Sequence, residues 1–217
     1  MVDRARNKIT SLSSTERNRR DVEDRDEVHS VLLTRNDPQQ IDGCSQSNRE
    51  VILLRALSVV VGIGNPYRGD DAVGWAVIDG LKKKTQTIQL VKSQGDIAEL
   101  IDIFSSYRVV ILVDACQMNA PVGTWQRIDA HKQKIVEISP LTSTHGLSVT
   151  QAIALAKNIS VLPPTLVLYV INGKNFSMND GLSPAVAKSV EEVIQALLEE
   201  IRLCTNTVSS ITSSVRS

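Results

Sequence analysis

The sequence predicts a single α/β domain built on a mostly parallel, twisted sheet of about five strands with helices on both faces. Three observations carry that expectation. Short, almost wholly apolar and β-branched runs recur at 57–63, 108–113 and 166–171, as strands buried on both faces require. Stretches with apolar residues at helical spacing separate them. Glycine, proline or a capping side chain marks most boundaries, so the chain alternates strand and helix as a parallel sheet does.

Residues 1–50 stand apart from this pattern. They are rich in Arg, Asp, Glu, Ser, Asn and Gln, with alternating charges from Glu16 to Asp26 and only scattered apolar positions. Such a composition buries too little to offset the entropy of folding, and a disordered N-terminal extension is expected. His29 and Cys44 fall inside it. The folded domain is expected over 51–204 and a flexible C-terminal tail over 205–217.

The first strand, 57–63, runs into a loop broken by Gly64, Asn65, Pro66 and Gly69. Asp70 or Asp71 is placed to cap the next helix, in which Val73, Ala76, Val77, Gly80 and Leu81 share a face. Lys82, Lys83 and Lys84 close it where the helix dipole favours cations. A second strand fits 87–91, and Gly95 and Asp96 supply a turn and a cap for a helix lined by Ile97, Leu100, Ile101 and Phe104. The third strand, 108–113, ends at Asp114. Pro121 and Gly123 mark a turn before a possible edge strand at 124–128, and 132–139 can form another. His145 lies in a loop just ahead of a helix over 148–158, where Val149, Ala152, Ile153 and Ala156 align. The strand at 166–171 follows, then a polar loop over 172–181. Ser183 with Pro184 opens the closing helix, hydroxyl as cap and proline in the first turn. Its apolar face includes Val186, Val190, Val193, Ile194, Leu197 and Ile201, and the chain frays past Cys204.

With 24 basic and 24 acidic residues the formal charge is zero. No basic footprint argues for nucleic acid, and no polybasic segment or membrane-length apolar run argues for a bilayer. Cys44, Cys116 and Cys204 are too few and too scattered for a disulfide framework, and the N-terminus lacks the apolar core of a signal peptide. A cytoplasmic protein is expected; the sequence leaves its oligomeric state open.

In an open α/β sheet, sites form at the carboxyl ends of the strands. Asp70 and Asp71 follow the first strand, Asp114 follows the third, and His145 joins them if its loop lies on the same edge. Two carboxylates and an imidazole suit a divalent transition ion that keeps open positions, though spacing does not name the metal. Taken singly, each has an ordinary alternative. Asp71 can cap its helix, a contribution of about 1 kcal/mol, Asp114 can cap a turn, and a lone loop histidine is common.

The motifs Gly-Ile-Gly-Asn-Pro-Tyr-Arg-Gly-Asp-Asp-Ala-Val-Gly, Ile-Leu-Val-Asp-Ala, Pro-Val-Gly-Thr, Thr-Ser-Thr-His-Gly-Leu and Gly-Leu-Ser-Pro-Ala-Val occur in that order. Over residues 57–200 the chain resembles the hydrogenase maturation proteases. The resemblance implies a single α/β domain. It also implies an endopeptidase that removes the C-terminal extension of a [NiFe] hydrogenase large-subunit precursor after nickel insertion. By motif, Asp71, Asp114 and His145 are the implied nickel ligands and catalytic residues, with nickel delivered inside the substrate and serving as a checkpoint. Asp70 joins the catalytic set as helix cap, as base or as loop geometry. The cleavage step is implied to use Lewis acidity or a carboxylate base, hence the description as an aspartyl protease. Ser93, Gln94, Gly95 and Asp96 depart from the family's usual Asp-Gly-Gly turn and bear on which precursor is accepted.

Four rivals fit less well. A dinucleotide site lacks its third glycine, and two aspartates at the helix start repel a pyrophosphate. The opening motif is also similar to that of peptidyl-tRNA hydrolases, but Arg68, Gly69, Asp70 and Asp71 stand where those carry a histidine, and a neutral chain binds tRNA poorly. Cys116 with His145 can make a thiol hydrolase, although a cysteine just beyond a buried strand more often packs. A non-cleaving chaperone for the nickel-loaded large subunit is the strongest alternative of another class.

Overall fold

The computed structural model describes residues 56–132 and 146–214. The N-terminal extension with His29 and Cys44, nearly all of the strand expected at 132–139, and the loop carrying His145 lie outside the described residues. Five strands form one sheet: β1 (Ser58–Ile63), β2 (Gln89–Ser93), β3 (Val109–Cys116), β4 (Trp125–Asp129) and β5 (Thr165–Asn172). The helices are α1 (Val73–Lys82), α2 (Ile97–Ser106), α3 (Gly146–Asn158) and α4 (Pro184–Ser214), and a 3₁₀ turn, Gly69–Ala72, leads into α1.

The strand order is β2-β1-β3-β5-β4, parallel except for β4, which pairs antiparallel with β5. The expected α/β class, five-stranded sheet and edge strand are thus present. Alternation divides the core into two layers. Val110, Leu112 and Cys116 of β3 pack beneath α2 and α3, with Val59, Val61 and Ile63 of β1. Ile111, Val113 and Ala115 face the opposite layer with Val73, Val77 and Leu81 of α1 and Val193 and Leu197 of α4. Each such fully buried aliphatic side chain contributes about 1.5–3 kcal/mol relative to exposure. Both faces are covered, which is why the central strands carry no polar alternation.

Four features depart most from the sequence expectation. The second strand is shifted to 89–93, because β2 registers on β1 with Val59 opposite Gln89 and Ile63 opposite Ser93. The third does not stop before Asp114. β5 continues to pair with it, Asp114 opposite Val170 and Cys116 opposite Asn172, so the carboxylate projects from within the strand. Ser183 does not cap α4 with its hydroxyl, which donates to Asp70 Oδ2 at 3.1 Å instead. Finally, α4 runs on to Ser214 where a flexible tail was expected. No glycine or proline follows Pro184, so nothing in the chain interrupts the helical hydrogen bonds there.

Candidate active site

The carboxyl edge of the sheet is assembled by close backbone packing. A Cβ on Gly74, in the first turn of α1, would lie 2.3 Å from the Ile63 carbonyl oxygen and 2.6 Å from that of Val113. Only glycine lets α1 settle directly on the ends of β1 and β3. Gly64 has φ +143°, and a Cβ there would come within 1.8 Å of the Asp71 carbonyl oxygen. Asp71 lies three residues before Gly74 and Asp114 one after Val113, so this packing brings both carboxylates to the same part of the edge.

Asp70 and Asp71 share the 3₁₀ turn and are both fully buried. Neither occupies the cap position of α1, which is taken by Ala72. Asp70 Oδ2 accepts the N–H groups of Lys174 at 2.8 Å and Asn175 at 2.9 Å as well as the Ser183 hydroxyl. Its Oδ1 accepts the Ser183 N–H at 2.7 Å. Burial pushes this carboxyl up, but the N–H donors of Asn175, Lys174 and Ser183 and the Ser183 hydroxyl together hold it below its ordinary value. Of the three roles open to Asp70 in the sequence, loop geometry is the one its contacts match.

Asp71 Oδ2 accepts the N–H of Asn65 at 3.1 Å, and Asn65 Oδ1 in turn accepts the N–H of Tyr67 at 2.9 Å. The loop after β1 therefore folds around the Asp71 carboxylate. Asp114 is 6% exposed and projects, by strand alternation, toward the layer of α2 and α3. Cys116 lies one pleat further on that side, and its thiol is pushed up to about 12, first by burial and then by the charge on Asp114. Burial thus disfavours the thiolate that a thiol hydrolase needs.

His145 is outside the described residues, but it directly precedes Gly146, the first residue of α3. The direction of α3 is fixed at its other end. Lys157 Nζ donates to the Ala130 carbonyl, and the Ala130 N–H donates to Leu166, at the amino end of β5. Running back over 13 residues, a rise of about 20 Å at 1.5 Å per residue, α3 begins near the carboxyl edge. Among the described residues no three His, Cys, Asp or Glu side chains form a group suited to a metal ion. Of the three expected ligands only Asp71 and Asp114 are described.

Sequence reasoning missed how the loop between β5 and α4 is tied to this edge. The Asp70 N–H donates to Asn175 O at 2.7 Å, the Gly69 N–H to Asp180 O at 3.1 Å and the Asn179 N–H to Tyr67 O at 2.7 Å. The only hint was a polar loop rich in Asn and Asp, which does not name its partner.

A family model described as hydrogenase maturation protease matches residues 77–200, more than half of the chain. The chain belongs to the hydrogenase maturation protease family. It is thereby a peptidase. The match includes Asp114 and His145 and begins beyond Asp71. A candidate hydrogenase maturation protease of Methanocaldococcus jannaschii is 26% identical over 153 residues, 66% of this chain and 96% of that protein. The hydrogenase maturating endopeptidase HybD of Escherichia coli superposes with a TM-score of 0.60 at 18% identity, covering 67% of this chain and 92% of that one. The [NiFe] hydrogenase maturation protease HycI of Thermococcus kodakarensis gives 0.53 at 23% identity, covering 72% and 99%. These structural likenesses establish the shared fold. Among the described residues no helix is long and apolar enough to cross a membrane.

Proposed function

We propose that this peptidase removes the C-terminal extension of a [NiFe] hydrogenase large-subunit precursor once nickel is in place, with Asp71, Asp114 and His145 gripping the substrate's nickel. The supporting observation is the packing of α1 on the ends of β1 and β3, which gathers two buried carboxylates at one edge. Two hard oxygen donors and an imidazole fit a borderline divalent ion that already has other ligands. Because the ion belongs to the substrate, a precursor without nickel offers the three side chains nothing to hold, and the metal acts as the signal that insertion is complete. Bound in this way, nickel supplies Lewis acidity to the neighbouring peptide carbonyl. Cleavage is hydrolytic: water adds to the scissile carbonyl carbon, its proton passes to a base, and the C–N bond breaks as the amine takes up a proton. Asp71 and Asp114 are the carboxylates at the edge suited to that proton transfer. The protein acts on a cytoplasmic precursor in this reading.

The test uses purified protein with nickel-loaded and nickel-free precursor. The loaded precursor is expected to shorten and the nickel-free one to keep its length. Asp71→Ala and Asp114→Ala are each expected to slow cleavage by at least about 100-fold. Normal cleavage by Asp71→Ala overturns the site assignment, and nickel-dependent binding without shortening favours the chaperone reading.

A further inference from the structure

Five large apolar side chains are exposed among the described residues, and three of them, Leu155, Ile159 and Leu203, lie on or just beyond the outer faces of helices. The other two are different. Tyr67, 58% exposed, follows β1, and Met178, 62% exposed, lies between β5 and α4, so both are on loops leaving the carboxyl edge. The Asn179 N–H donates to Tyr67 O at 2.7 Å, which holds the two loops against each other beside Met178. Single exposed apolar residues are ordinary on any surface. Here, however, the backbone presenting them is fastened on every side. Asp70 anchors Lys174, Asn175 and Ser183, Asn175 Nδ2 donates to Asp180 Oδ2 at 2.8 Å, and Asn175 Oδ1 accepts the Ser177 N–H at 3.1 Å.

A loop so constrained loses little entropy when something docks on it, which is the condition under which apolar contacts yield affinity. The constraint also fixes its place relative to chemistry, because the anchoring carboxylate, Asp70, is the chain neighbour of Asp71. We propose that Tyr67 and Met178 form a rigid apolar rim that receives the precursor's polypeptide beside the cleavage point. The identity of that partner rests on the protease reading above. The rim contributes recognition of the chain, separate from recognition of the metal. A polypeptide segment with an apolar side chain near the scissile bond is the occupant that matches it, since the rim adjoins the carboxylates and presents apolar side chains to it.

The experiment measures binding of nickel-loaded precursor to Tyr67→Ser, Met178→Ser and the double variant, with cleavage recorded on the same samples. Each single substitution is expected to weaken Kd about ten-fold, as loss of an apolar anchor does. Tyr67→Phe and Met178→Leu, which keep the apolar surface, are expected to bind like wild type, as is Leu203→Ser, some 30 Å along α4 from its start. Both rim side chains are exposed, so melting temperatures should be unchanged. A double variant whose Kd stays within about two-fold of wild type overturns the rim. So does failure of Tyr67→Phe and Met178→Leu to retain binding. A wild-type protein that binds the precursor without shortening it overturns the protease reading while the rim is still judged by Kd. One that does not bind it at all overturns both.

Discussion

Asp70 and Asp71 are identical neighbours with identical burial, yet their contacts assign them different work. Asp70 accepts three backbone N–H groups and a hydroxyl from the loop 174–183, whereas the Asp71 carboxylate accepts the Asn65 N–H of the loop after β1. Asp70→Ala should therefore cost about 3 kcal/mol or more, since several part-buried donors lose their acceptor together. Asp71→Ala should cost about 1 kcal/mol in stability while nearly abolishing cleavage. Urea unfolding and precursor cleavage measured on both variants separate the two effects. The assignment fails if Asp70→Ala unfolds like wild type but does not cleave. Adjacent aspartates look alike in the sequence because the residues that distinguish them lie more than 100 positions away, at 174, 175 and 183. Cys116 is a similar case. Its position after a buried strand indicated packing, and its raised thiol pKa of about 12 adds that alkylating reagents at pH 7 should leave it unmodified in the folded protein and that Cys116→Ala should still cleave.

The elements were readable where one local signal sufficed. Apolar runs marked β1, β3 and β5, and Asp96 caps α2 as its position suggested, accepting the N–H groups of Ala98 at 2.9 Å and Glu99 at 3.2 Å. Their ends were less readable, because β3 is prolonged by pairing with β5, and a pairing partner is not a local property. The same holds for the start of α1, where Gly74 reads as an unremarkable helix glycine until the ends of β1 and β3 are seen against it. Gly74→Ala would normally favour a helix, yet here the new methyl would meet two backbone oxygens that cannot rotate away. The expected result is a loss of about 1–3 kcal/mol from overpacking, together with slower cleavage as α1 and the preceding 3₁₀ turn shift away from β3. Equal or greater stability of Gly74→Ala in urea would show that α1 does not rest on these strands as described.

Away from the carboxyl edge, the sheet is closed by an ion-paired cluster that joins the antiparallel edge to the last helix. Arg127 of β4 donates to Glu200 of α4 from Nε at 2.6 Å and from Nη2 at 2.8 Å, and Tyr169 of β5 donates to the same carboxylate at 3.0 Å. The Arg127 hydrogen bonds, opposed by burial and helped by the guanidinium charge and the Tyr169 hydroxyl, hold the Glu200 carboxyl below its ordinary 4.5. Because Glu200 binds its proton more weakly in the folded chain than in the unfolded one, unfolding takes up protons in acid. Its contribution to stability is complete above pH 4.5 and is lost as pH falls through the lower folded value. Asp70 and Asp129 are shifted in the same direction and add to the slope from below their ordinary 3.8. Wild-type stability in urea is therefore expected to be level from pH 7 to 5.5 and to fall between pH 4.5 and 3. Glu200→Gln should be less stable than wild type at pH 7, with a shallower fall in acid, since only Asp70 and Asp129 then remain of the three. If the two proteins lose stability in parallel below pH 4.5, Glu200 is not what ties β4 and β5 to α4.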